Sequence, residues 1–520
     1  MTRALGMHMR TIAKDTSRRS LLTGILLVGA WLRFYDLAGE SLWFDEAYSV
    51  WVARHSVSWH LQLSTQRIFP PLYYVLLHFW LRLGDSEYVV RTLSVLVGVI
   101  SIALLFRLSA ELFDEVSGLF SALLMTISPL HVWYSQEARM YITVAALGLS
   151  SALFLIMALR HRRLAPWLGY TLSIALAMNA HYFAVFFLPF HALYVLYLLG
   201  NHLLSTKKLW FWIVSQVGAA ALSVVGLAGV FSAESDYWWG LLDTWHGAPG
   251  VSELLDLAYA YSLGTTVQGR ALYWVGLLVF GVCGLAGLSQ LLPVGRYSRV
   301  SVQEESRGVR NSILFAALYL AVPLLTVFTL SQFRSFWVLR YIFPFLPPYC
   351  ILVARGILRF PWRLRIVAIG VVLLLTLWPI VNTYRYQQKE NWRSAVAYIS
   401  AQEEAGDAIL LVDEDVWLPF EHYYRGPASR SGISRSVIDR QLVSARIGLL
   451  ASVHQRIWLV VSHSDNWLVR DCLVASKYAS LVVQEDFGGV YVALFDIDRG
   501  SPLAGYLSDE VICGLTEAAI

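Results

Sequence analysis

The sequence predicts a polytopic α-helical membrane protein, with about eleven transmembrane helices and a small C-terminal extracytoplasmic α/β domain. Three observations carry this expectation. Of 520 residues, 57% are hydrophobic and only 15% charged, whereas a soluble globular chain carries about 25% charged residues. Apolar runs of about 20 residues, long enough to cross a bilayer as a helix, recur up to residue 384. Beyond that point the pattern changes to short apolar runs separated by polar turns. The 20 Trp and 27 Tyr suit a chain with many membrane–water boundaries.

The amino terminus is basic (Arg3, Lys14, Arg18, Arg19) and leads into the apolar run Leu21–Leu32. Arg33, Phe34 and Tyr35 do not form the small-residue site of a cleaved signal peptide, so this run reads as a retained first span. The expected spans are 20–36, 88–108, 114–130, 141–159, 165–181, 183–200, 209–231, 271–292, 312–331, 336–356 and 365–384. A further stretch, 71–83, is short and broken by His78 and Arg82, and reads as a helix on or re-entering the outer surface. With that assignment and a cytoplasmic amino terminus, the basic clusters fall on one side. They are His161–Arg163, Lys207 with Lys208, the polar loop 294–311 (Arg296, Arg299, Arg307, Arg310), and Arg355, Arg359, Arg363 and Arg365. The positive-inside rule makes that side cytoplasmic. Loops 37–87, 131–140, 232–270 and 332–335 are then outside, as is the soluble domain from 385 to 520, and the membrane is the cell's inner (plasma) membrane.

The tail reads as α/β. A helix is expected over 391–404 and another over 465–477, with strands at 408–413, 456–462 and 490–496. Four cysteines without close spacing exclude a zinc ribbon or a disulfide scaffold, although Cys472 and Cys513 can pair if the tail is extracytoplasmic. The Lys/Arg clusters are short and flank apolar runs, so no nucleic acid is implied, and no Gly-rich phosphate loop marks a cytoplasmic nucleotide site.

The residues able to carry chemistry gather on the outer side. Asp45 and Glu46 follow the first span among aromatic residues. An acid near lipid is costly unless it is used or paired, although a helix cap or a solvated turn would also explain the pair. Tyr134, Gln136, Glu137 and Arg139 crowd the expected short loop after Pro129, where a simple interfacial Glu137–Arg139 pair is the plain alternative. His181 lies at a turn between spans, where a capping role is the more ordinary one. Arg334 can snorkel to the surface. Arg340, followed by Tyr341, stands at the start of an apolar helix and should face protein or a wet cavity.

These residues form motifs. Leu42–Tyr48, Pro70–Tyr74 with His78–Trp80, Arg91–Ser94, Ser128–Tyr141, Arg340–Pro347 and Asn391–Arg393 resemble, in order, those of bacterial family 39-type glycosyltransferases. This group of the GT-C superfamily includes the protein O-mannosyltransferases and the lipid A aminoarabinose transferase. Many relatives have His before the Pro-Pro pair, whereas this chain has Phe69. The resemblance implies transfer of a sugar, with inversion, from a polyprenyl-phosphate donor to a lipid, protein or glycan acceptor. By family position Asp45 would be the general base, with Glu46 orienting it or binding acceptor or metal. Arg139, Arg340, Tyr341 and His181, with Tyr134, Gln136 and Glu137, would line the donor site. A divalent cation is a possible cofactor, with Asp45, Glu46, Glu137 and His181 as the available hard or borderline ligands. A transporter or flippase of a lipid-linked sugar is the alternative. The absence of an internal repeat and the gathering of polar groups at one surface weigh against it.

Overall fold

The computed structural model describes residues 2–66, 70–229, 247–266, 269–292, 300–334, 336–386, 389–412, 416–433, 440–462, 467–476 and 478–498. Phe69, Arg296, Arg299 and Cys513, singled out above, lie outside these residues. The chain divides into two compact units, one of Met1–Leu37 with Ala53–Tyr386 and one of Ala38–Val52 with Gln387–Ile520.

The first unit is helical. Seven described helices are long and apolar enough to cross a bilayer, and eight if the bent pair Glu115–Thr126 and Pro129–Ser135 counts as one span. The first expected span, 20–36, overlaps the C-terminal half of helix Thr2–Phe34. Those at 165–181 and 209–231 coincide with shorter helices, Ala165–Ala180 and Thr206–Leu222, the latter followed by Val224–Ala228. Caps explain several boundaries: Ser86 accepts from Val89 N at the start of Glu87–Leu112, and Asp114 accepts from Ser117 N at the start of Glu115–Thr126. The stretch 71–83 is a nine-residue helix, Leu72–Trp80, and a turn, Leu81–Leu83, ended by Gly84 at φ 135°. It buries Tyr73, Tyr74 and Leu77 while Leu76 and Phe79 stay exposed.

Two expectations are corrected. The polar segment 294–311 is not a loop throughout, because helix Val300–Leu330 begins within it and runs on into the apolar span. The segment 131–140 is not an exposed loop. It begins as the helix Pro129–Ser135, bent 67° from the helix before it, and Leu130, His131, Val132 and Tyr134 are buried. The apolar residues interleaved with the polar ones give the segment a face to bury, which the polar composition of 134–139 obscured.

The most enclosed spans are Tyr141–Arg160 and Leu339–Arg359, 72% and 78% buried over their apolar windows, against 22% for Arg270–Leu291 and for Trp362–Arg385. The first two form the centre, and the others present apolar side chains outward, as lipid permits. Helices Arg270–Leu288 and Leu346–Arg359 meet backbone to backbone. A Cβ on Gly356 would overlap the carbonyl oxygen of Cys283, and one on Gly287 that of Leu352. Small residues allow such an approach where no hydrophobic drive operates between helices.

The second unit contains a five-stranded sheet of order β2-β1-β3-β5-β4. Strands β1 (Ala408–Val412), β2 (Ser429–Ile433) and β3 (Arg456–Val461) are parallel, and β5 (Tyr491–Ile497) pairs antiparallel with β3 and with β4 (Ala479–Asp486). The central strands bury both faces. Leu410, Val412, Leu459 and Phe495 pack with Val443, Ile447 and Leu473. Ile409, Leu411, Trp458 and Val460 pack with Trp392, Val396 and Phe420 on the other face. The expected helices appear as Trp392–Gln402 and Leu468–Ala475. Strands β2 and β4 went unread because they are largely exposed edges: β2 has no apolar run, and that of β4, Leu481–Val483, is short and mostly exposed.

Gly356→Ala should destabilise the helical unit by about 3 kcal/mol, the upper end of overpacking costs. The midpoint of denaturation in mixed detergent micelles checks this.

Candidate functional site

The acidic motif opens the helix Phe44–Ala53 and belongs to the C-terminal unit. Several hydrogen bonds hold the chain leading to it. Ser41 Oγ donates to Glu390 O at 2.6 Å and accepts from Trp392 N at 3.0 Å. Tyr423 OH accepts from Leu42 N at 2.7 Å, and Arg393 Nη2 donates to Ala38 O at 2.9 Å. Trp51, one face further along the helix, meets Trp417 edge-on at 6.0 Å.

The two acids differ in environment. Glu46 is fully buried, and its carboxylate lies 3.2 Å from Lys389 Nζ, itself almost buried. Asp45 is partly exposed, and its carbonyl accepts from Ser49 Oγ at 2.9 Å. Both stand in the first helical turn, where the helix dipole favours negative charge. Glu46 is thereby fixed by its ion pair, whereas Asp45 keeps access to solvent. Lys389 is a residue that sequence reasoning missed. A lone lysine among Gln-Gln-Lys-Glu reads as a solvated linker, and its partner is far away in the chain.

In the helical unit, the remaining candidates converge from four segments. The rings of Tyr134 and Tyr141 lie 5.7 Å apart, and Tyr341 stands 6.1 Å from Tyr141 and 5.1 Å from His181. Arg139 lies 5.8 Å from the Tyr141 ring and Arg340 5.5 Å from that of Tyr341. His181 feels the charge of both arginines, and Tyr134 that of Glu137 and Arg340. His181 Nδ1 accepts from Phe183 N at 3.2 Å, so in the neutral ring Nε2 carries the proton and is left to donate. Two cations, a buried histidine and several phenols thus share one region, with Glu137 buried beside them. Such a set suits an anionic group with hydroxyl-bearing substituents.

Gln136 does something else. Its amide donates to Arg33 O at 3.1 Å and Tyr35 O at 2.9 Å, capping the end of the first helix. Tyr141 and Tyr182, whose ring lies 6.4 Å from Tyr341, join the cluster without having been singled out. Their closeness in sequence to Arg139 and His181 was the available signal. Among the described residues, no three His, Cys, Asp or Glu side chains gather closely enough to hold a metal. Of the four possible ligands, Asp45 and Glu46 belong to one unit and Glu137 and His181 to the other.

The fold is ArnT-like, and part of the chain resembles the family 39-type glycosyltransferases. Residues 69–227 match the family model described as dolichyl-phosphate-mannose-protein mannosyltransferase. The structure is similar to apo ArnT from Cupriavidus metallidurans, with TM-score 0.63 and 15% identity over 95% of this chain and 100% of that one. The same protein bound to undecaprenyl phosphate gives 0.58 at 15% identity, over 95% and 100% of the two chains. The oligosaccharyltransferase AglB from Archaeoglobus fulgidus, in complex with an inhibitory peptide and a dolichol-phosphate, gives 0.54 at 12% identity, over 92% of this chain and 74% of that one. No curated protein sequence matches this chain.

Lys389→Met strands the buried Glu46 carboxylate and should cost about 3–5 kcal/mol. Adding Glu46→Gln should recover most of that loss, because the charge needing a partner is gone. Thermal unfolding of the single and double variants, followed by intrinsic fluorescence, reads both effects.

Proposed function

We propose that this protein is a glycosyltransferase that takes a sugar from a polyprenyl-phosphate donor and joins it, with inversion, to an acceptor hydroxyl on the extracytoplasmic face of the plasma membrane. The observation that carries this reading is the convergence of Arg139 and Arg340 with His181, Tyr134 and Tyr341 in a chain of ArnT-like fold. The ArnT structure bound to undecaprenyl phosphate supports a lipid phosphate as the anion in question.

The chemistry asks little beyond what these residues offer. The acceptor oxygen attacks the anomeric carbon as Asp45 takes its proton, and a single displacement inverts that carbon. The bond from the anomeric carbon to the phosphate oxygen breaks, and its electron pair stays on the departing polyprenyl phosphate. That leaving group needs no proton, so one carboxylate suffices as base. The cations Arg139 and Arg340, with the phenols and His181 Nε2–H, balance the second negative charge developing on the phosphate. Glu46, held by Lys389, fixes the helical turn that carries Asp45. The amino terminus is cytoplasmic and the C-terminal domain extracytoplasmic in this reading, by the positive-inside argument.

In cells lacking the gene, the polyprenyl-phosphate sugar should accumulate in lipid extracts analysed by mass spectrometry. Wild-type protein should clear it, whereas Asp45→Asn, expressed and folded, should slow clearance by about 10²–10⁴-fold, the usual worth of a general base. Clearance by Asp45→Asn at the wild-type rate would remove Asp45 from the mechanism. A protease site placed after residue 498 should be cut in intact spheroplasts; protection there would reverse the orientation.

A further inference from the structure

A second constellation lies deeper in the helical unit, in residues that the proposed chemistry does not use. Arg33, near the end of the first helix, is fully buried. Its five N–H groups find five acceptors. Nε donates to Ser135 Oγ at 3.2 Å, and Nη1 to Gly29 O at 2.9 Å and Thr126 O at 3.3 Å. Nη2 donates to Met125 O at 3.2 Å and His131 Nδ1 at 2.7 Å.

The reason for an arginine here is the break that follows Thr126. In an unbroken helix, Met125 O would accept from the N–H of residue 129, but Pro129 has none. The bend of 67° also carries the next turn away from Thr126 O. Ser128 N reaches Met125 O only at 3.4 Å, and Arg33 supplies donors to both carbonyls at once. A guanidinium has no lone pair to offer, so His131 Nδ1 must be the acceptor and the ring proton of the neutral form sits on Nε2. Nε2 then donates to Ser101 Oγ at 2.9 Å, and Ser101 donates to Gly98 O at 2.6 Å. Ser135 Oγ donates to His131 O at 2.6 Å. Gly98 makes room for this network, since a Cβ there would overlap Ser135 Oγ.

The network reaches both arginine-bearing segments of the site. The bent helix leads directly into Glu137 and Arg139. The His131 ring lies 6.0 Å from Phe343, Phe343 lies 4.4 Å from Tyr134, and the turn ending at Ile342 carries Arg340 and Tyr341.

We propose that Arg33 is a positioning residue. By clamping the broken helix to neutral His131, it sets where Tyr134–Arg139 and, through Phe343, Arg340–Tyr341 stand to receive a lipid phosphate. This rests on the glycosyltransferase reading for its ligand, though not for its geometry.

The test uses the full-length protein in nanodiscs and undecaprenyl phosphate as probe. Arg33→Met should weaken undecaprenyl phosphate binding at least tenfold and lower turnover on the order of 100-fold, as a displacement of about 1 Å can. Hydrogen exchange should quicken in peptides covering 129–141 and 339–345 and stay unchanged in 141–160, whereas a merely structural role would quicken it throughout the unit. Arg33→Lys, with three donors for five acceptors, should recover part of the binding. Wild-type binding and exchange in Arg33→Met would overturn the proposal. If Arg33→Met does not fold, the pair His131→Leu and His131→Asn decides. The first leaves one of the two Nη2 N–H groups without its acceptor and should bind weakly; the second restores an acceptor and should bind near the wild-type level, and equal binding by the two would overturn the proposal. If the wild-type protein itself does not bind undecaprenyl phosphate, the glycosyltransferase reading has failed, and the exchange of 129–141 in Arg33→Met then decides the positioning role alone: quickened exchange supports it and unchanged exchange overturns it.

Discussion

Pro129 cannot donate a hydrogen bond, and the bend that shapes the site in the helical unit is built around that missing donor. The chain turns sharply after Thr126, which leaves carbonyl oxygens facing an interior where water is scarce and an unmet polar group is costly. Arg33 meets them with a group whose five donors are fixed in a plane, so satisfying the acceptors also fixes their relative positions. An apolar span could have continued straight through this point. The bend instead delivers Tyr134, Glu137 and Arg139 against the segment Leu339–Phe345, which itself breaks into short turns before the helix Leu346–Arg359 begins. Two departures from regular helix thus supply most of the polar side chains of the site.

The acidic motif obeys a different constraint. Asp45 and Glu46 are neighbours in sequence, yet one is buried with a lysine and the other reaches solvent. A buried ion pair contributes little net stability, since desolvation offsets attraction, but it penalises any arrangement in which the charges part. Glu46 and Lys389 therefore register the helix Phe44–Ala53 against the chain that leads into the sheet domain. The sheet behind that domain gives the registration a rigid base, because its central strands bury both faces.

Much of this was legible in the sequence, for identifiable reasons. Long apolar runs have one stable form in lipid, so helices fell where the runs lay, and the central strands of the tail showed as continuous Ile, Leu and Val. The edge strands β2 and β4 did not, because β2 is polar and β4 offers only three apolar residues in a row, Leu481–Val483. Segment 131–140 looked like a polar loop because composition cannot distinguish a solvated polar residue from one whose partner lies on another helix. Arg33 was read only as a reason against signal cleavage, and Lys389 not at all. Each has its meaning in a partner about 100 or more residues away: Arg33 in His131 and Ser135, Lys389 in Glu46. Tyr134, Arg139 and His181, in contrast, were picked out by polar character at helix ends and Tyr341 by the family resemblance, and their side chains do converge.

The central claim is a direct displacement, with one carboxylate as base and two arginines bearing the phosphate's charge. It is tested most directly by the stereochemistry of the product, compared by NMR with that of the donor recovered from cells lacking the gene. The account predicts that the anomeric configuration is inverted in the product. Retention of configuration would require a second displacement, or a covalent intermediate on the protein, and would contradict it.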